Sequence, residues 1–141
     1  MRVNAQGLVG WWIVSLVSVA TLAAVTSDLR LVEAVKNRDK NGMRALLKQQ
    51  VDVNTPQPDG ATALHWAAHL DDLEAADVLI GAGARVNVAN NYGVTPLALA
   101  CENGNTAMIE KLLKAGANPN AALPTGETTL MTAARTGKVE G

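Results

Sequence analysis

The sequence predicts an all-α solenoid of stacked helix-turn-helix units. Three observations carry this expectation. Residues recur with a fixed step of 33 positions, as in Gly60, Gly93 and Gly126, Thr62, Thr95 and Thr128, and Ala34, Ala67, Ala100 and Ala133. The blocks 59–91 and 92–124 share 10 identical residues of 33 without a gap. The chain is 48% hydrophobic but only 3% aromatic, with Ala, Leu and Val supplying most of its apolar side chains. Small aliphatic residues suit thin, closely packed helices better than a β-sandwich. A repeat of this length is one supersecondary unit that cannot bury its apolar stripe alone and must stack on its neighbours.

The first element is residues 1–27. Arg2 is the only charge before Asp28, and the run LVGWWIVSLVSVATLAAV, residues 8–25, carries none. A basic start, an apolar stretch and a small-residue tail read as a secretory signal peptide. Cleavage after Ser27, Ala23 or Ala24 would suit it. A stretch of about 18 to 20 apolar residues also reaches across a bilayer, so an uncleaved anchor is the rival reading. Either way the remainder is expected to be exported: periplasmic or secreted after cleavage, membrane-anchored without it. Membrane contact is expected only through residues 8–25.

Residues 28–58 form the first block, DLRLVEAVKNRDKNGMRALLKQQVDVN and its linker. It lacks the Thr start and carries Arg30, Lys36, Arg38 and Lys40, as a capping repeat with one polar face would. The block 59–91 opens with a Gly turn and Thr62, whose hydroxyl is placed to accept from backbone N–H groups left free at a helix start. A short helix over about 63–70 and a second over 73–81 follow. The block 92–124 repeats the scheme, with helices over 96–103 and about 106–115. Pro96 takes the first helical position, where a missing N–H costs nothing. Gly83 and Gly116 stand just past the second helices, where the chain commonly turns left-handed. Leu64, Leu97, Leu79, Ile80, Leu112 and Leu113 are expected to fill the seam. The last block, 125–141, begins as TGETTLMTAARTG and reaches Gly141 where a second helix should bury itself. Ile109, Leu112 and Leu113 should then lose their cover, which points to a fragment of a longer array, or else to a partner at that end.

At GVTPLALACENGNTAMIEKLLKAGANPNA the resemblance to the ankyrin-repeat family becomes plain, since its signature runs Thr-Pro-Leu-His-x-Ala. Thr62, Leu64, His65 and Ala67 match it in one block; Thr95, Pro96, Leu97 and Ala100 match it in the next. The resemblance covers residues 28–141 and extends to bacterial ankyrin proteins that carry signal sequences. It implies an ankyrin solenoid whose units are joined by β-hairpin-like turns. It also implies a non-enzymatic module or scaffold that binds a protein partner through turn tips and the concave helix face. On this chain the strip would hold Asp59, Ala61, His69, Leu70, Asn91, Tyr92, Val94, Glu102, Asn103, Thr125, Glu127, Arg135 and Thr136.

Other chemistries have less behind them. His65 and His69 are one helical turn apart and Asp71 and Asp72 follow, which raises the question of a metal site. The residue after His65 is Trp66, where the metalloprotease pattern needs Glu. The resemblance gives His65 a structural role at the turn, and Asp71 and Asp72 are placed to start the second helix, where negative charge is favourable. No metal, cofactor or catalytic residue is therefore expected; a catalytic domain beyond residue 141 is the alternative of a different class. Cys101 is the only cysteine and falls at a small core position, so an inert buried thiol is expected. The formal net charge of −1 supplies no field for nucleic acid. N-terminal sequencing of exported protein is expected to read from near Asp28; a chain still carrying residues 8–25 would make that segment an anchor.

Overall fold

The computed structural model describes residues 28–123 and 125–136. The leader-like segment 1–27, and with it the choice between signal peptide and anchor, lies outside the described residues. So do the side chains of Leu130, Thr132 and Thr136. The described part is an all-α repeat solenoid. Its helices are α1 (Arg30–Lys36), α2 (Lys40–Lys48), α3 (Ala63–His69), α4 (Leu73–Gly81), α5 (Pro96–Asn103), α6 (Thr106–Lys114) and α7 (Thr129–Thr136). Helices α1 and α2, α3 and α4, and α5 and α6 pair as antiparallel hairpins, and α7 begins a fourth unit. No helix among the described residues is long and apolar enough to cross a membrane.

Five of the described helices start where a side chain takes a free N–H. Asp39 accepts from Gly42 N–H at 2.9 Å, Asp72 from Ala75 N–H at 3.0 Å and Asn105 from Met108 N–H at 3.1 Å. These three caps are 33 residues apart and open the second helix of each unit. Thr95 and Thr128 cap the short helices, accepting from Ala98 and Met131 N–H, both at 3.2 Å. Asp71 and Asp72 divide the work expected of both. Asp72 caps α4, whereas Asp71 takes a left-handed φ of 56°, as Arg38 does at 56° and Gly104 at 69°. That residue makes the sharp reversal between paired helices, which Gly does without a Cβ clash.

The short helices pack in a row, α1 on α3, α3 on α5 and α5 on α7, while α4 and α6 touch much less. The cause is small side chains. Ala67, Ala68, Ala100, Cys101 and Ala133 are all buried in that row. Leu31, Leu64 and Leu97 form one buried column, and Leu79 and Leu112 lie in the same cluster with Met43 and Met108. Burial raises the Cys101 thiol above its ordinary range.

Three core expectations need correcting. Leu113 is 40% exposed, because it lies on the outer side of α6. Leu112 is buried and Ile109 half-buried, so neither lacks cover, contrary to expectation. Leu112 turns into the cluster that holds Leu79 rather than toward the end of the stack. Met131, in α7, is 60% exposed.

The linkers are hairpin-like turns with little ladder. Gln57 N–H and Ala61 C=O, Asn90 N–H and Val94 C=O, and Leu123 N–H and Glu127 C=O pair at 2.8 to 2.9 Å. Among the described residues only an isolated antiparallel bridge, Ala122 to Thr128, is formed beyond these. Gly60 turns the tip at φ +81°, and a Cβ there would lie 3.1 Å from Asn91 N. Recurrent asparagines then tie units together. Asn54 accepts from Arg85 N–H at 2.8 Å and donates to Gly83 C=O at 3.2 Å; Asn87 does the same to Asn118 N–H at 2.7 Å and Gly116 C=O at 3.0 Å.

Leu97→Ala is expected to destabilise the stack by about 2 to 5 kcal/mol, the range for a buried leucine. The urea midpoint reads it, and an unchanged midpoint would contradict this packing.

Candidate functional site

The inner strip is built from two rows. Asp59, Tyr92 and Thr125 stand at equivalent places of successive hairpin tips, and His69, Glu102 and Arg135 at equivalent places near the ends of α3, α5 and α7. Tyr92 is 69% exposed, while its backbone N–H donates to Asn90 Oδ1 at 3.0 Å. The turn is therefore held by Asn90, and among the described residues no hydrogen bond engages the Tyr92 hydroxyl.

His65 lies under this strip and is only 2% exposed. Thr62 N–H donates to its Nδ1 at 3.1 Å, with the Thr62 hydroxyl 3.0 Å from the same nitrogen. Its Nε2 is 3.0 Å from Val94 C=O in the next hairpin. An Nδ1 that accepts from a backbone N–H must be unprotonated, which leaves the proton on Nε2 to be donated to Val94. Burial holds the imidazole below its ordinary pKa of 6.5, against opposing contributions from the Val94 bond and the nearby Asp59 charge. Both ring nitrogens are thus spent on joining one unit to the next. His69, by contrast, is exposed. Among the described residues, no group of three or more His, Cys, Asp or Glu side chains comes together as a metal-ligand set.

Between the two rows lies a depression of about 160 Å³ lined by Asp59, Ala61, His65, Trp66, His69, Asn90 and Leu99. Trp66 and Leu99 were not expected at the site. Each stands three residues before His69 or Glu102, which puts it on the same helix face, and that spacing was the available signal. The Trp66 indole N–H donates to Gln57 Oε1 at 2.7 Å, and its ring meets His69 edge-on at 5.7 Å and 88°. Lys36 Nζ sits 5.0 Å from the Trp66 ring centroid.

Several expected contact residues also serve the fold. Ala61 is 6% exposed, so its side chain is removed from the contact surface. Asn103 is half-buried and its amide donates to Ala68 C=O at 3.2 Å, His69 C=O at 2.9 Å and Asp71 Oδ1 at 3.2 Å, stapling α5 to the preceding turn. Leu70 and Val94 are half-buried, and their carbonyls accept from Arg38 and His65. Asn91 is exposed, yet its amide donates to Pro58 C=O at 3.1 Å and links adjacent tips. Glu127 lies 3.8 Å from Arg135. The alternation of basic and acidic segments is absorbed across units on the second helices, where Glu74 meets Lys40 and Arg44, and Asp77 meets Lys111.

A sequence model of ankyrin repeats, in three copies, matches residues 31–123. The chain belongs to the ankyrin-repeat family. Ankyrin repeats are in general non-catalytic protein–protein interaction modules. Residues of this chain are 37% identical to human Neurogenic locus notch homolog protein 1 over 70 residues, which is 50% of this chain and 3% of that protein. They are 40% identical to Protein PhlB of Serratia liquefaciens over 68 residues, 48% of this chain and 30% of that protein. The chain thus spans a minor part of the curated relatives it matches.

The His65 geometry sets a pH dependence. The unfolded chain takes up a proton near pH 6.5 and the folded one only at lower pH. His65 therefore adds no penalty well above 6.5, and stability falls as pH drops through 6.5 toward the folded value. Between about pH 7.5 and about pH 5 the urea midpoint is expected to fall more for wild type than for His65→Gln. Equal slopes would show that the buried imidazole does not titrate as argued.

Proposed function

We propose that this ankyrin stack is an exported, non-catalytic module that binds another protein through its hairpin tips and concave short-helix face. One observation carries the reading. Side chains open to solvent recur in register along both rows, half-buried at Asp59 and exposed at Tyr92, Thr125, His69, Glu102 and Arg135, while the groups that order the stack lie beneath them or behind them. Asp59, Tyr92 and Thr125 with His69, Glu102 and Arg135 make the core of the contact surface. Leu70, Asn91, Val94 and Glu127, partly engaged within the stack, flank it. A rigid scaffold lowers the ordering cost that binding otherwise carries, and an exposed, low-entropy tyrosine is a favoured anchor.

Export is supported by the charge-free run 8–25 that precedes the repeats. The same run supports a membrane-anchored form of the same scaffold if it is retained.

Affinity capture from an extract of the source cells tests the binding role. Tyr92→Ala is expected to lose the captured protein while stability stays within about 0.5 kcal/mol of wild type, as for an exposed site. An unchanged capture would remove Tyr92 from the interface. Loss of folding would make it a structural residue.

A further inference from the structure

One group lining the depression has little use inside the fold. Asp59 Oδ1 accepts from Ala61 N–H at 3.0 Å. Among the described residues its other carboxylate oxygen receives no hydrogen bond, and no cation pairs with it. Acids on the second helices are treated differently: Glu74 is held by Lys40 and Arg44, and Asp77 by Lys111. Cations along the inner strip are already committed, Lys36 to Glu33 at 3.0 Å and Arg135 to Glu127 at 3.8 Å. Asp59 is thus the one ordinary anion lining a depression whose walls include Trp66 and Leu99.

Size narrows the occupant. A depression of about 160 Å³ is smaller than a small-molecule site, which runs to about 300 Å³ or more. It is close to a cavity of about 150 Å³ that takes a single benzene ring. One side chain fits it. An apolar side chain would cover the Asp59 carboxylate without a partner, which is unfavourable. An acidic one would meet a like charge. A guanidinium is weakly hydrated, stacks on aromatic faces and matches a carboxylate through its planar fork, which an ammonium does not.

We propose that this depression receives one arginine side chain from an extended segment of the partner protein, with its guanidinium at Asp59 and its stem against Trp66 and Leu99. The assignment rests on the protein-binding reading above and narrows it to a partner chemistry.

Titration of the isotope-labelled full chain with blocked pentapeptides tests it, the central residue being Arg, Lys or Leu between Gly and Ser. The Ala61 amide and Trp66 indole N–H resonances report on the depression. The arginine peptide is expected to shift both, with the lysine and leucine peptides at least about fivefold weaker. Asp59→Asn keeps an oxygen for Ala61 N–H and is expected to bring the arginine peptide down to the leucine level at an unchanged urea midpoint. Equal binding of all three peptides, arginine binding indifferent to Asp59→Asn, or no shift with any peptide would each overturn the assignment. None of these results touches the Tyr92→Ala capture experiment, so the two readings fail separately.

Discussion

The whole stack depends on how closely the short helices can approach. Ala67, Ala100 and Ala133 recur at the contact, and each is buried where α3, α5 and α7 pass one another. A methyl group at that place lets two helices come together without a gap; a longer side chain would wedge them apart. Leucines on either side then close into a continuous column, each worth about 1.5 to 3 kcal/mol when fully buried. The second helices lack such a row of small residues; they turn Met43, Leu79, Met108 and Leu112 into the shared cluster and add exposed ion pairs to one another, which contribute little. Tight packing along one row and loose packing along the other follow from residue size alone.

Polar groups set the register once the helices are in place. Asn54 and Asn87 reach from one linker to the turn of the next unit, taking one N–H and giving to one carbonyl each. His65 performs the same service between hairpins, and Asn103 between short helices. The Asn54 and Asn87 bonds take up backbone groups of linkers and turns, whereas His65 and Asn103 add a second donor to carbonyls that already accept from Asn90 and Asp71 N–H. The strip above these bonds is consequently ordered from below. Its exposed residues are free to vary in chemistry without disturbing the stack, which is what a binding surface on a scaffold requires.

The pair of histidines illustrates how a local pattern changes meaning in its setting. Helical spacing alone places His65 and His69 on one face. Packing of the next hairpin then buries the first and leaves the second in solvent. A protonatable side chain has become part of the joint between two units, so the stability of this joint inherits the titration of an imidazole. Its neighbour Trp66 is held by Gln57 and lined by Lys36, and with Leu99 it turns the surface between tips and helices into a depression.

Much of this was legible without coordinates. The 33-residue step placed the helices within a residue or two, because the Thr caps, the Gly turns and the Leu and Ala columns are local requirements of each unit. The resemblance to ankyrin repeats, and not the step itself, implied Tyr92, His69 and Glu102 as surface positions, and all three are exposed. The step could not separate Asp71 from Asp72, because a left-handed backbone and a helix cap both accept aspartate. Nor could it assign Ala61, Asn103 or Leu113. Whether such a residue is covered, bonded or exposed depends on the neighbouring unit, and periodicity within one unit is silent about what the next one presses against it. The sequence by itself determined the unit and its repetition; contact between units decided which side chains were spent on the stack and which remained for a partner.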